Sequence, residues 1–216
     1  MKAVDVILAS TNEGKVRELS VLFAEPRLQL VGLRGRVPVG FEVDETGQTF
    51  EENAWLKALA VCAETGLPAL ADDSGLEVDA LGGRPGVWSA RYAGEGADDG
   101  ANNALLLREL ADVAEEARTA RFVSVIAFAV PSPSGPLRVA ARSGRVEGRI
   151  LRAPRGTNGF GYDPLFAPLA FPERTTAEMS LDEKNSISHR AAAARAIAPS
   201  ISAWLDDFVT RTTGSE

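Results

Sequence analysis

The chain opens with a short apolar run, Val4–Ala9, which leads through the polar residues Ser10–Asn12 into a helical pattern from Val16 to Phe23. A branched apolar run of this length predicts a buried strand. Polar capping residues followed by the acid Glu13 are the usual start of a helix. The order strand, polar loop, helix therefore predicts an α/β fold.

The rest of the chain continues this mixture of strands and helices. Thr49–Glu52 is a capping box, which predicts a helix that ends at about Thr65. The residues 122–130 and 137–150 predict a long antiparallel pair of strands. Strands are also predicted at 28–33, 37–43 and 69–71, apolar alternation resumes at 76–81, a helix is predicted around 105–110, and two helical pieces with a kink at Pro199 close the chain. We expect a partly antiparallel sheet.

Composition and charge exclude several classes of protein. The 216 residues contain one cysteine and one histidine, which excludes an intramolecular disulfide and a structural zinc site. Any metal must then be held by carboxylates, which favours Mg²⁺ or Mn²⁺. The net charge of −7, with dispersed basic residues, argues against a nucleic-acid polymer as partner. No apolar run reaches the roughly 20 residues of a membrane span, and Asp5 interrupts any export signal, so we expect a cytoplasmic protein.

The loop Ser10-Thr11-Asn12-Glu13-Gly14-Lys15 is the first candidate site. Hydroxyls, free backbone N–H groups and the positive end of a helix dipole together favour an anion, and Lys15 adds a mobile positive charge. The spacing of a Walker A loop is absent. The alternative interpretation is a well-capped surface helix without a ligand.

Acidic residues form the second candidate site. Asp72 and Asp73 are adjacent at the predicted end of a strand, where two carboxylates repel each other unless a cation neutralises them. Neighbouring strand residues point to opposite faces, so one acid can reach a metal while the other anchors the turn. Glu45 is a weaker candidate, and Asn53 and Lys57 lie one helical turn apart. The alternatives are an Asx-turn at the acids, a solvated acidic loop at Glu45 and an exposed polar stripe on the helix.

Two further segments combine aromatic and basic residues. Gly156–Pro164 places Phe160 among glycines, where a nucleobase can stack on its ring. Lys184–Arg190 places His189 and Arg190 at a predicted helix start, where cations are unfavourable, which suggests a site that requires hydrogen-bond donors. The alternatives are a turn with Phe160 in the core and a solvated helix start.

Six segments, taken together and in this order, resemble the inosine triphosphate pyrophosphatase family, also called the Ham1 family. The matching segments are Ser10–Lys15, Glu45–Lys57, Ala71–Leu76, Pro85–Tyr92, Gly156–Pro164 and Glu178–Arg190. One such motif carries little weight, whereas six in order are highly specific. Thr11 departs from the pattern, since many relatives have glycine there, and residues 143–153 match no motif.

The resemblance implies a two-lobed α/β fold with a mixed central sheet flanked by helices and a nucleotide cleft between the lobes. It implies one catalytic domain, which we place over residues 1–212, and a homodimer. The terminal residues 213–216 are expected to be disordered. The activity implied is Mg²⁺-dependent hydrolysis of ITP, dITP, XTP and dXTP to the monophosphate and pyrophosphate, with Mn²⁺ as a substitute metal. Asp73 would be the catalytic base, and the metal ligands would be Glu45 and Asp73, with Asp72 as a further candidate. The substrate would contact Ser10, Thr11, Asn12, Glu13, Gly14, Lys15, Asn53, Lys57, Ser74, Phe160, Gly161, Tyr162, Asp163, Lys184, His189 and Arg190.

Two other functions stay open as alternatives. A Maf-type pyrophosphatase acts on other nucleotides in a similar scaffold, but Gly156–Pro164 and Ser186–Arg190 favour the inosine class. A nucleotide-binding protein without turnover is the alternative from a different class. The paired Asp72 and Asp73 argue against it, because phosphate binding alone gains nothing from extra carboxylates.

Overall fold

The computed structural model describes residues 3–23 and 25–213, and these residues form a mixed α/β fold. The strands of the described chain are β1 (Val4–Leu8), β2 (Leu28–Gly32), β3 (Ala69–Val78), β4 (Thr119–Val130), β5 (Leu137–Ile150) and β6 (Phe166–Pro168). Its α-helices are α1 (Glu13–Leu22), α2 (Phe50–Thr65), α3 (Asp99–Glu109), α4 (Leu181–Ile187) and α5 (His189–Thr213). Short 3₁₀ helices lie at Asp79–Leu81, Gly86–Arg91, Glu115–Ala117 and Thr176–Glu178.

All six strands belong to one sheet in the order β2-β1-β3-β4-β5-β6. β1 runs parallel to β2, with Val6 opposite Leu30, and parallel to β3, with Ile7 opposite Ala69. β5 and β6 are antiparallel. The sheet is therefore mixed and accompanied by helices, which confirms the predicted fold class.

The described chain divides into two compact units. Unit 1 combines the residues up to Asp73 with 125–143 and those from Ala191 onward, and unit 2 combines Ser74–Ser124 with Gly144–Arg190. Strands β3, β4 and β5 each contribute residues to both units. One catalytic domain over residues 1–212 stays a prediction, and residues 214–216 of the predicted tail lie outside the described residues.

Each unit has its own apolar core. In unit 1, strand residues pack against one face of α5 and against Leu19 of α1, and the cluster includes Val6, Leu8, Leu70, Ile126, Phe128, Ile197, Ile201 and Leu205. In unit 2, the buried Leu106 of α3 and Leu110, which directly follows that helix, pack with Leu76, Val78, Phe122, Ile150 and Phe166. Burying a leucine or phenylalanine side chain contributes about 1.5–3 kcal/mol, so these two clusters hold the elements that carry the polar groups described below.

Three details differ from the sequence predictions or refine them. The predicted strand at 37–43 is wrong: this segment is loop and turn, because Pro38 lacks a backbone N–H, Gly40 adopts a positive φ of 85°, and Val39 is fully exposed. The predicted end of a strand at Asp72 is also wrong, since β3 continues through the acids to Val78. The two C-terminal helices are α4 and α5, and Pro199 lies inside α5.

None of the helices in the described ranges combines the length and the apolar character needed to cross a membrane.

Candidate active site

The loop after β1 is held in a capping conformation. The Asn12 side chain accepts a hydrogen bond from the backbone N–H of Lys15 at 3.0 Å, and the N–H of Asn12 donates to Ser10 Oγ at 3.2 Å. Thr11, Asn12 and Glu13 are exposed, whereas Gly14 is buried. The predicted helix start is therefore confirmed, and it presents an open helix N-terminus at the end of a buried strand.

Two lysines and three carboxylates form what we call the carboxylate–lysine cluster, which consists of Lys15, Glu45, Lys57, Asp72 and Asp73. Lys15 Nζ lies 3.0 Å from Asp72 Oδ2. Lys57 Nζ lies 2.6 Å from Asp73 Oδ1 and 3.2 Å from Glu45 Oε2. The adjacent acids of β3 thus engage different lysines, as expected when neighbouring side chains leave a strand on opposite faces.

The two oxygens of Asp73 have different surroundings. Oδ1 is bound by Lys57, whereas Oδ2 is buried and makes no hydrogen bond to any residue that the structure describes. A buried carboxylate oxygen without a partner is unfavourable in a finished structure. This oxygen is therefore able to accept a hydrogen bond from water or to bind a cation.

Burial and charge shift the protonation equilibria of this pair. Burial lowers the pKa of Lys57, but the negative charges of Asp73 and Glu45 more than offset it, so the pKa lies above that of an ordinary lysine. Burial raises the pKa of Asp73, and the charges of Lys57 and Lys15 reverse this only in part. Lys57 is thus protonated at neutral pH, and Asp73 is more basic than an ordinary aspartate.

The loop that carries Glu45 is fastened to the start of α2. Asn53 Oδ1 accepts a hydrogen bond from the N–H of Gly47 at 2.8 Å, and Asn53 is buried. A side chain at Gly47 would collide, since a Cβ there would lie 2.6 Å from Asn53 Oδ1. The predicted capping box of α2 is present, with Thr49 and Glu52 bonded reciprocally. Asn53 therefore positions the Glu45 loop, and its contact with substrate stays a prediction.

A second set of predicted site residues lies in unit 2, around the ring of Phe160. Lys184 Nζ is 5.0 Å and Arg190 Cζ 5.2 Å from the centre of this half-buried ring. Arg190 Nη2 also donates to Ser74 Oγ at 2.6 Å. Phe160 is thus placed against two cations rather than in the core, so the core interpretation does not hold.

Asp163 links several residues of this second set through its two carboxylate oxygens. Its Oδ2 accepts from Lys184 Nζ at 2.5 Å and from the N–H of Phe160 at 2.9 Å, and its Oδ1 accepts from Thr176 Oγ1 at 2.7 Å. Asp163 and Lys184 are both buried. The carboxylate therefore holds the lysine and the aromatic loop in place.

The side chains of Tyr162 and His189 are more deeply placed than the sequence suggests. Tyr162 lies in the core of unit 2, and its hydroxyl donates to the carbonyl oxygen of Ser89 at 2.9 Å. The His189 ring stacks on Phe122 with 4.9 Å between the ring centres and 15° between the planes. Sequence reasoning missed Ser89, Phe122 and Thr176. Ser89 lies within the segment Pro85–Tyr92 of the family resemblance, and Thr176 lies within the capping box that begins at Thr175, whereas Phe122 had no local signal.

The predicted residues thus form two sets, one in each unit. In unit 1 these are Ser10, Thr11, Asn12, Glu13, Gly14, Lys15, Glu45, Asn53, Lys57, Asp72 and Asp73, and in unit 2 they are Ser74, Phe160, Gly161, Tyr162, Asp163, Lys184, His189 and Arg190. Asp73 and Ser74 are consecutive in the sequence. Within the described ranges, no three His, Cys, Asp or Glu side chains come together as a ready metal site.

Fold and site together define a class of protein. The chain belongs to the Ham1 family, whose family model matches residues 6–200. Two solved structures are similar over 92% of this chain and 98% of their own length: the Ham1 protein of Staphylococcus aureus, at 39% identity and a TM-score of 0.79, and a HAM1 protein of Coxiella burnetii, at 40% identity and a TM-score of 0.80.

Curated relatives carry a more specific name. A protein of Symbiobacterium thermophilum is 54% identical over 87% of this chain and 90% of its own length, and one of Bacillus licheniformis is 50% identical over 94% and 98%. Both are named dITP/XTP pyrophosphatase.

Proposed function

We propose that this chain hydrolyses the non-canonical purine nucleoside triphosphates ITP and XTP, and their deoxy forms, to the nucleoside monophosphate and pyrophosphate. The observation that carries the proposal is the carboxylate–lysine cluster, in which Asp73 Oδ2 has no hydrogen-bond partner among the residues that the structure describes. Lysines attract phosphates, and an available carboxylate oxygen can accept a proton from water. The name shared by the curated relatives supports the substrate class.

Water attack on the α-phosphate follows from the groups of this cluster. Asp73 takes a proton from the water as its oxygen forms a bond to the α-phosphorus, and the bond from that phosphorus to the oxygen bridging to the β-phosphate breaks. Pyrophosphate leaves with the bridging oxygen and its electron pair. Lys15 and Lys57, together with the backbone N–H groups of the loop Ser10–Lys15, bind the negative charge of the phosphates.

The residues also fit a divalent cation, Mg²⁺ or Mn²⁺. Glu45 and Asp73 share Lys57 as a cationic partner, so they converge on one positive charge. Asp73 Oδ2 makes no hydrogen bond to the described residues, and a carboxylate oxygen is a ligand that hard cations prefer. Mg²⁺ in nucleotide enzymes commonly uses one or two carboxylates together with substrate phosphates, so a third protein ligand is not required. Asp72 fits less well, because its wholly buried side chain is paired with Lys15. A cation held by Glu45 and Asp73 would neutralise phosphate charge during the reaction.

Base recognition is proposed for the set around Phe160. Its ring offers a stacking surface beside Arg190, and an arginine only donates hydrogen bonds. Hypoxanthine and xanthine carry an acceptor oxygen at position 6, whereas adenine carries an amino donor there. Arg190 therefore favours the keto bases over adenine, although it does not exclude guanine.

The products of the reaction test this function. Wild-type protein incubated with ITP and Mg²⁺ should release pyrophosphate and IMP in equal amounts, and chelation of the metal should stop the reaction. Inorganic phosphate released together with IDP would place attack at the γ-phosphate and contradict the proposal. Binding of ITP without any product would indicate the nucleotide-binding alternative, and faster turnover of other nucleotides would indicate a Maf-type preference.

We further propose, on the family resemblance, that the protein is a cytoplasmic homodimer. Its mass in solution, measured by light scattering, should be twice that of the 22.9 kDa chain.

A further inference from the structure

Gly161, the residue after Phe160, is held by two side chains of helix α3. Its N–H donates to Asp99 Oδ2 at 2.6 Å, and its carbonyl oxygen accepts from Asn103 Nδ2 at 2.9 Å. Asp99 lies in the first turn of α3, and Asn103 lies four residues later on the same face. One helix therefore fixes both backbone polar groups of a single loop residue.

Helix formation alone does not explain the amide at position 103. Asparagine is a weak helix former, because its side chain competes with the backbone for hydrogen bonds. Asn103 Oδ1 is buried and makes no hydrogen bond within the described ranges, while Nδ2 reaches across to Gly161. Gly161 has a φ of 61°, which glycine adopts without strain, so the loop turns sharply at the residue that α3 holds.

These contacts restrain the backbone on both sides of Phe160. The N–H of Phe160 donates to Asp163 Oδ2 at 2.9 Å, which fixes the peptide before the ring. The N–H of Gly161 belongs to the peptide after the ring, and Asp99 fixes that one. A side chain whose two flanking peptides are both held has little freedom to change direction, and a rigid support of this kind pre-organises a binding surface.

We infer that Asp99 and Asn103 are positioning residues that orient the Phe160 ring for stacking on the purine base. The inference rests on the proposed function and adds to it the residues that hold the Phe160 ring in the orientation needed for base stacking. Neither residue needs to touch the substrate. Their loss should weaken the binding of ligands that contain a base and leave the binding of bare phosphates unchanged.

The first test compares three variants with the wild type and a control. Asn103→Ala and Asp99→Ala each remove one bond to Gly161, Asp99→Asn keeps an acceptor oxygen, and Arg108→Ala changes an exposed residue of the same helix. Base stacking contributes about tenfold or more to affinity, so we expect the KM for ITP and the inhibition constant of IMP to rise about tenfold in both alanine variants. The kcat should stay within about threefold, the inhibition constant of pyrophosphate should not change, and Asp99→Asn and Arg108→Ala should resemble the wild type.

A double-mutant cycle then asks whether the effect passes through the ring. In a Phe160→Ala background, Asn103→Ala should raise KM no further, whereas a general structural defect would add to the effect of Phe160→Ala. Additive effects, an unchanged KM in both alanine variants, or an equal rise in the pyrophosphate inhibition constant would overturn the inference. If Asn103→Ala does not fold, the contrast between Asp99→Ala and Asp99→Asn decides. If the wild type turns over ITP and the variants behave like the wild type, only the positioning role is contradicted. If the wild type releases no pyrophosphate, the proposed function is contradicted, and this inference with it.

Discussion

The two carboxylate oxygens of Asp73 divide the proposed chemistry between them. Oδ1 is 2.6 Å from Lys57 Nζ, and Oδ2 is buried without a hydrogen bond among the described residues. In Asp73→Asn the amide oxygen still accepts from Lys57, so the fold should survive, but the side chain can no longer take a proton. We expect kcat for ITP to fall by about 10²–10⁴-fold or more, measured as pyrophosphate release at saturating Mg²⁺.

Asp112→Asn, a change at an exposed residue of unit 2, is the matched control for loss of one carboxylate and should keep full activity. An Asp73→Asn protein that works within about threefold of the wild type would contradict the assignment of the base, since that is well below the effect of losing a general base.

Arg190 is the residue on which the proposed base discrimination depends. It is buried, its guanidinium donates to Ser74 Oγ, and it lies over the Phe160 ring. In Arg190→Ala we expect kcat/KM for ITP to fall at least about tenfold and that for ATP to change little, because a site that relies on a hydrogen bond discriminates strongly only while the donor is present. Arg195→Ala, at an exposed position of α5, should leave both values unchanged. Equal losses for ITP and ATP would assign Arg190 to phosphate binding or to structure.

At the scale of elements, Asn12 has two roles at the start of helix α1. Its side chain caps the helix, and the residue belongs to the loop that we propose to bind the phosphates. Asn12→Asp keeps a good capping side chain and places a negative charge at the positive end of the helix, so the melting temperature should be maintained or rise. The same charge repels the triphosphate, and one added unit charge at close range is worth about tenfold in affinity or more. We therefore expect the KM for ITP to rise at least about tenfold.

Asn12→Ser supplies the control for this separation, because serine caps the helix without adding charge. Its stability and KM should both stay near those of the wild type. If Asn12→Asp binds ITP as well as the wild type does, the loop after β1 does not contact the phosphates.

At the scale of the whole molecule, folding changes the ionisation of both tyrosines in the sequence. Burial, a hydrogen bond to Glu109 and the charge of that carboxylate raise the pKa of Tyr92 to about 12. Burial, followed by the charges of Tyr92 and Asp99, raises the pKa of Tyr162 above that of an ordinary tyrosine as well. Because the folded pKa values exceed the unfolded value of about 10, the tyrosines contribute stability that is complete below pH 10. For Tyr92 that contribution is lost as the pH rises from about 10 through about 12.

Ultraviolet absorbance of tyrosinate during an alkaline titration measures this directly. We expect no ionisation step with a midpoint near pH 10 while circular dichroism shows a folded protein, and both tyrosines should ionise by the point of alkaline unfolding. The Tyr92→Phe variant leaves Tyr162 as the only reporter. A step near pH 10 in the folded wild type would contradict the burial and hydrogen bonding of these side chains.

Local interactions explain which features could be predicted from the sequence alone. The cap at Asn12 and the capping box at Thr49–Glu52 join residues only three positions apart, so each can be recognised in a short window of sequence. The order of most strands and helices follows from the spacing of apolar residues. The exceptions are 37–43, where Pro38 and Gly40 interrupt the apolar alternation, the continuation of β3 through Asp72, and the strand β6, which at three residues is too short to show a pattern. The family resemblance likewise depends on short motifs in a fixed order, and the family match confirms it.

The tertiary structure decided which groups meet. Nothing near Asp72 in the sequence identifies Lys15, 57 residues away, as its partner, and nothing near Gly161 identifies helix α3 as its support. Such pairs depend on strand register and on how helices pack against the sheet, which are set by the burial of whole apolar faces rather than by neighbouring residues. The sequence by itself therefore determined the α/β class, the helix starts and the candidate residues. The path of the chain through its two cores determined that Lys57 joins Glu45 to Asp73, and that α3 holds Gly161, the neighbour of Phe160.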